Sequence, residues 1–205
     1  RVTVVKYHLR GERQPDSSVV VVYIDNDAIV SLGWPVRRNF YGLMIKALSD
    51  LHARAVGIEV QFEQASSEYP EYDQLLASVT GTAGNVVLAS YLGNVTREDG
   101  VPGKMPESVQ LFRYPGADRV PLFGTEIHLP YKALRAAAAG VGHVNIVDAS
   151  AIPLFMTFGT GTLPAFGLEL LRVSAGVPRD AVRTLGDDVV LSAGDRTFVI
   201  HGSPD

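Results

Sequence analysis

Cysteine is absent from this 205-residue chain. That excludes a disulfide-stapled scaffold and a thiol nucleophile, and it leaves the redox compartment open. A long basic cluster is also missing and the formal charge is -4. Phosphate recognition needs concentrated Lys and Arg, so nucleic acid is not an expected partner. No apolar run is fit to cross a bilayer. The uncharged interval between Asp148 and Glu169 contains Pro153, Pro164, Gly159, Gly161 and Gly167, which reads as strand, turn and helix. Repeats, low-complexity tracts and a signal-peptide pattern are lacking too. The chain opens at Arg1 and not at Met, which leads to the expectation of an excised fragment with targeting or anchoring segments outside it.

What is present is a globular sequence long enough for a substantial core in one large domain. Its strongest local feature is Val19-Val20-Val21-Val22-Tyr23-Ile24-Asp25-Asn26-Asp27, followed by Gly33-Trp34-Pro35-Val36-Arg37-Arg38. A β-branched run without polar alternation reads as a strand covered on both faces, as in a parallel sheet. Acids at the end of such a strand stand where ligands usually bind, so Asp25 and Asp27 are the first candidate site residues.

Strand and helix then alternate. Asn39 is positioned to cap a helix reaching about Arg54, with Phe40, Leu43, Met44, Ala47, Leu48 and Leu51 at helical spacing. Residues 55–62 read as a second strand, 72–79 as a short amphipathic helix and 85–90 as a third strand. Together with 19–24 these strands are expected to share one sheet. Glycine, proline and mixed charges make 93–121 an irregular surface excursion. A helix over 130–139 stopped by Gly140 follows, then strands near 143–147 and 152–158, a helix over 163–174, and a closing hairpin of 189–191 with 197–201 around Gly194-Asp195. The predicted fold class is α/β: a mixed, largely parallel central sheet flanked by helices, with a closing antiparallel hairpin.

Several of these segments, in this order, resemble the CHASE2 domain, the extracytoplasmic sensor module of bacterial receptors. The resemblance is carried by Tyr23-Ile24-Asp25, by Leu32-Gly33-Trp34-Pro35 with Arg38, by Ala53 through Phe62, and by Tyr72-Asp73-Gln74-Leu75-Leu76-Ala77. It continues through 85–90, Gly142-His143-Val144-Asn145-Ile146-Val147-Asp148 and Leu163-Pro164-Ala165-Phe166-Gly167-Leu168-Glu169-Leu170. The chain departs from the family pattern at Glu59, where Asp is usual, at Val36, where a second tryptophan is usual, and at Ser150-Ala151 and Leu154, where an Asp-Gly pair and an Arg are usual. The resemblance implies one non-catalytic sensory domain over residues 1–205. It further implies a membrane receptor with a histidine kinase, nucleotide cyclase or serine/threonine kinase output, homodimeric in the intact protein. A small-molecule or environmental stimulus is implied as the partner.

The polar residues singled out are Asp25, Asp27, Trp34, Arg38, Glu59 and Asp73. Acids at the carboxyl edge of neighbouring strands bind a cation or polar ligand, or else cap loop amides and helices. Arg38 and Trp34 are expected to lock the loop before the first long helix by pairing with Asp25 or Glu59. The five histidines, His143 and His201 among them, lack metal-ligand spacing, so no metal and no cofactor is expected. A second reading is enzymatic. Asp25 and Asp27 resemble the nucleophile and general acid of haloacid-dehalogenase-type phosphatases, and Gly186-Asp187-Asp188 their magnesium-binding acids. That reading lacks a placed phosphate-binding lysine, and the Gly-Asp-Asp stretch also suits a plain turn.

Overall fold

The computed structural model describes residues 17–95, 124–146, 152–159 and 161–202. The helices in chain order are α1 (Asn26–Leu32), α2 (Arg38–Asp50), α3 (Pro70–Ala83), α4 (Lys132–Ala137) and α5 (Phe166–Ser174). The central sheet is built on β2 (Val86–Gly93). β1 (Val56–Ile58) and β4 (Gly140–His143) pair with β2 in parallel, one on each side, while β3 (Glu126–His128) runs antiparallel to its second half. Val86, Val87, Leu88 and Ala89 are completely buried, as an uninterrupted apolar strand must be when both faces are covered.

The two faces are covered differently. On one, Val56, Ile58, Val86, Leu88 and Val141 meet Tyr41 and Ile45 of α2, Leu76 of α3 and Leu134 of α4. Phe40, Met44 and Leu48 along α2 and Leu76 with Val79 on α3 give these helices their inward sides, whereas Leu75 is exposed. On the other face glycines admit α5. A Cβ on Gly142 would lie 2.5 Å from the Phe166 Cα, so the helix backbone rests directly on β4.

β5 (Phe155–Phe158) and β6 (Gly161–Pro164) pair antiparallel. Met156, Phe158 and Leu163 join Leu92 in a second apolar cluster beyond the end of β2. A three-stranded antiparallel sheet closes the chain: β7 (Val182–Leu185), β8 (Asp188–Ala193) and β9 (Arg196–Ile200). It packs through Val182, Val189 and Leu191 on Leu168 of α5. The expected hairpin is therefore present, with Gly194 at φ 57° in its turn, and β7 is an added strand.

The largest difference from expectation is at residues 19–24. They are not a strand and do not join the sheet; they are exposed, with Val20 at 79% and Tyr23 at 80%. β-branched residues favour an extended backbone, but a strand exists only where a neighbour accepts its ladder. Among the described residues nothing pairs with this segment. Asn39 is not a cap either. Arg37 occupies that position, without a side-chain cap, and the side-chain Oδ1 of Asn39 is buried without a hydrogen-bond partner among the described residues. The helix ends at Asp50, earlier than expected, because Leu51 caps it and His52 turns to φ 60°.

The second strand is shorter than expected. Beyond Ile58 the backbone leaves the ladder, and the Phe62 carbonyl accepts the Tyr131 amide at 2.7 Å. Gly140 begins a strand and does not stop a helix; α4 ends at Ala137, whose successor Ala138 is extended. In the stretch 163–174 only the part from Phe166 is helical, since Leu163 and Pro164 belong to β6. Of the irregular excursion, 96–121 lies outside the described residues, as do Ser150 and Ala151.

Candidate functional site

Arg38 opens α2 directly after Arg37, whose extended backbone ends the preceding segment. Its side chain turns inward to α3, on which α2 packs, and pairs with Asp73. The guanidinium also donates to the Gln64 carbonyl, and the second Asp73 oxygen accepts the Ser66 amide. The guanidinium lies 5.4 Å from the Phe62 ring centre and 5.2 Å from that of Tyr131. Tyr131 in turn donates its hydroxyl to the Asp73 carbonyl at 3.0 Å. Burial, reinforced by the Asp73 charge and opposed by Arg38, pushes the Tyr131 phenol up to about 12. Arginine suits this place because a planar fork satisfies a carboxylate and a carbonyl while its faces lie on rings. A buried polar network satisfied at this many points fixes one arrangement of the elements that supply it. Here those are α2, the 62–66 loop, α3 and the approach to α4.

The other singled-out residues are elsewhere. Asp25 caps α1, its Oδ1 accepting the Ala28 amide at 2.8 Å. Asp27 is exposed in the first turn of that helix, its carbonyl accepting from Ser31 Oγ at 2.7 Å. Trp34 is 69% exposed, and Glu59 is exposed just past β1. The expected lock of Asp25, Trp34, Arg38 and Glu59 is thus not formed. α1 keeps Asp25 outside the body, while Arg38 follows the inward side of α2, so Arg38 finds Asp73 instead. Of the six residues, only Arg38 and Asp73 are brought together. Asp187 and Asp188 lie at the β7–β8 turn of the closing sheet, with Gly186 at φ 61°. Asp188 Oδ2 is 3.2 Å from His201 Nδ1. This is the plain-turn alternative, distant in the chain from the helix that Asp25 caps.

The carboxyl ends of the parallel strands hold a group that the sequence did not single out together. Ser90 and His143 are register partners on β2 and β4, both buried, and Ser90 Oγ donates to the Gly142 carbonyl at 3.0 Å. Among the described residues neither ring nitrogen of His143 has a hydrogen-bond partner. Burial pushes its imidazole down to about 4. Asn145 extends the pairing one step further, accepting the Leu92 amide at 2.9 Å and donating to the Leu92 carbonyl at 2.8 Å. Beside it, Tyr91 stacks on His128 at 4.0 Å. The His128 ring stands between two acids, Nδ1 3.0 Å from Glu63 and Nε2 3.7 Å from Glu126. The loop after β1 is thereby tied to β3.

A third polar centre lies on the opposite face of the sheet. Glu169, wholly buried, accepts from Arg172 Nε at 3.0 Å and Nη2 at 2.8 Å. Arg172 also donates to the carbonyls of Val177 at 3.0 Å and Ala139 at 2.9 Å. The legible signal was an acid and a base three residues apart in an otherwise apolar helix, a spacing that puts both on one face.

These arrangements brace elements; they do not pair a nucleophile with a base. Among the described residues no three His, Cys, Asp or Glu side chains are grouped to hold a metal ion. Nor is any described helix long and apolar enough to cross a membrane. No curated protein and no solved structure matches the chain. The model of the CHASE2 domain matches residues 4–200, taking in the Arg38–Asp73 node, the Ser90–His143 strand ends and the Glu169–Arg172 pair. The chain therefore belongs to the CHASE2 family, whose members are extracytoplasmic, non-catalytic sensory domains of signalling receptors.

Proposed function

We propose that this chain is the stimulus-receiving part of a membrane-bound bacterial receptor, exposed outside the cytoplasmic membrane and coupled to a cytoplasmic histidine kinase, serine/threonine kinase or nucleotide cyclase. The observation that carries this reading is the family match over residues 4–200. The receptor works as a homodimer. A small-molecule or environmental stimulus acts by favouring one arrangement of the domain over another, and the differential affinity sets how far the output shifts. The Ser90–His143 end of the parallel strands is the favoured place for stimulus contact, because ligands of open α/β sheets gather outside the carboxyl ends of their strands.

The absence of cysteine supplies a clean test. In intact cells making the full-length receptor, Lys132→Cys, at an exposed position, should react with a membrane-impermeant maleimide, against the unsubstituted receptor as control. Labelling that requires the membrane to be opened first would place the domain in the cytoplasm and end this reading.

A further inference from the structure

β1 has an open edge. The Val56 amide is bonded to the carbonyl of Asn85, just before β2, so in a parallel ladder the amide and carbonyl of Gly57 point the other way. Gly57 is exposed, and among the described residues β2 is the only strand beside β1, so no strand pairs with the outward side of Gly57. The place beside it has two apolar walls. Phe166 and Leu170 of α5 reach to within 3 Å of where a Gly57 Cβ would stand. On the other face Met44 and Leu48 of α2 are only partly buried.

The same chain carries a segment of matching character. Residues 19–24 are apolar without alternation, and five of them are more than half exposed: Val19 68%, Val20 79%, Val21 62%, Val22 59% and Tyr23 80%. Such a run is suited to a place covered on both faces. It continues directly into α1, which buries none of its residues, so run and helix together form a largely exposed arm.

We propose that the arm of one copy adds residues 19–24 as a strand to the open β1 edge of a second copy. The exchange is reciprocal, because each copy carries both the arm and the β1 edge, and a two-fold dimer closes without leaving either exposed. Two exchanged runs cover on the order of 1,500 Å² in total, the size of a specific interface. The proposal gives the dimer of the preceding section a seat, yet it stands on the strand edge alone and does not need the sensory reading.

Val21→Pro tests it in the 205-residue chain. Proline removes a ladder donor from the run, and the exposed arm tolerates it without loss of the core. Sedimentation of the unsubstituted chain should show a dimer whose Kd rises at least about tenfold in Val21→Pro, a difference of about 1.4 kcal/mol. The Gly57 amide should exchange slowly in the dimer and quickly in the variant. A chain that stays monomeric overturns the proposal, as does a dimer that survives the substitution. A monomer with a protected Gly57 amide would show that the arm sits on its own edge, which equally overturns it. Extracytoplasmic labelling at Lys132→Cys is unaffected by any of these results, so the two readings fail separately.

Discussion

Arg38 on α2 and Asp73 on α3 form an ion pair roofed by two aromatic rings, and this pair joins the two helices that cover one face of the sheet. Its neighbour Arg37 has no such partner; its guanidinium lies 5.4 Å over the Tyr69 ring. Breaking one side of a largely buried pair leaves a charge in poor surroundings, at a cost of about 3 kcal/mol. Arg38→Ala should therefore lower the denaturation midpoint strongly and Arg37→Ala hardly at all. Equal effects in denaturant titrations would show that the pair does not brace the fold.

His143 gives the acid limb of stability. Its folded-state pKa is about 4, below the ordinary 6.5, so the unfolded chain takes up the proton first. The contribution of the neutral ring is complete above pH 6.5. It is lost as pH falls through the window down to about 4, by up to roughly 1.4 kcal/mol per unit. His143→Leu should flatten this part of the stability profile measured by chemical denaturation. A profile with unchanged slope would mean that the ring is not buried neutral.

Tyr131 acts at the other end. Its phenol holds its proton to about pH 12 when folded, against the ordinary 10.0, so stability present below pH 10 is lost as pH rises towards 12. Ultraviolet titration of Tyr131→Phe should lack the latest-ionising tyrosine of the native chain. If the latest phenolate persists, it belongs to a different residue.

Gly140 stands where a Cβ would lie 2.3 Å from Glu169 Oε2. Gly140→Ala should cost about 1–3 kcal/mol through overpacking. It should also be non-additive with Glu169→Ala, which removes the obstructing atoms. Thermal melts showing simple additivity would deny that the two sites share one space.

Most of the framework was readable because it depends on local patterns. The buried run 86–89, the stripe on α2 and the β8–β9 turn each announce an element through spacing or turn chemistry. The segment 19–24 differs because its residues favour an extended backbone and apolar surroundings but do not specify a partner strand. The same limit explains the site. Arg38 and Asp73 were singled out separately, yet the pairing of Arg38 with Asp73, and not with Asp25 or Glu59, follows from how α2 lies on α3. Ser90 with His143, and Glu63 with His128, meet only through strand register and a loop path, neither of which leaves a short-range mark. Glu169 and Arg172 did leave one, in their three-residue spacing.

The absence of side chains at Gly140 and Gly142 has a mechanical result. A layer of packed side chains between a helix and a sheet is compliant, because rotamers can change and let the two slide or part slightly. Between α5 and β4 that cushion is missing, since Phe166 backbone atoms stand within 3 Å of where a Gly142 Cβ would be. Helix and strand are coupled as stiffly as two parts of one lever. Through Leu168 the closing sheet packs on the same helix, so β4 and the closing sheet are both seated on α5.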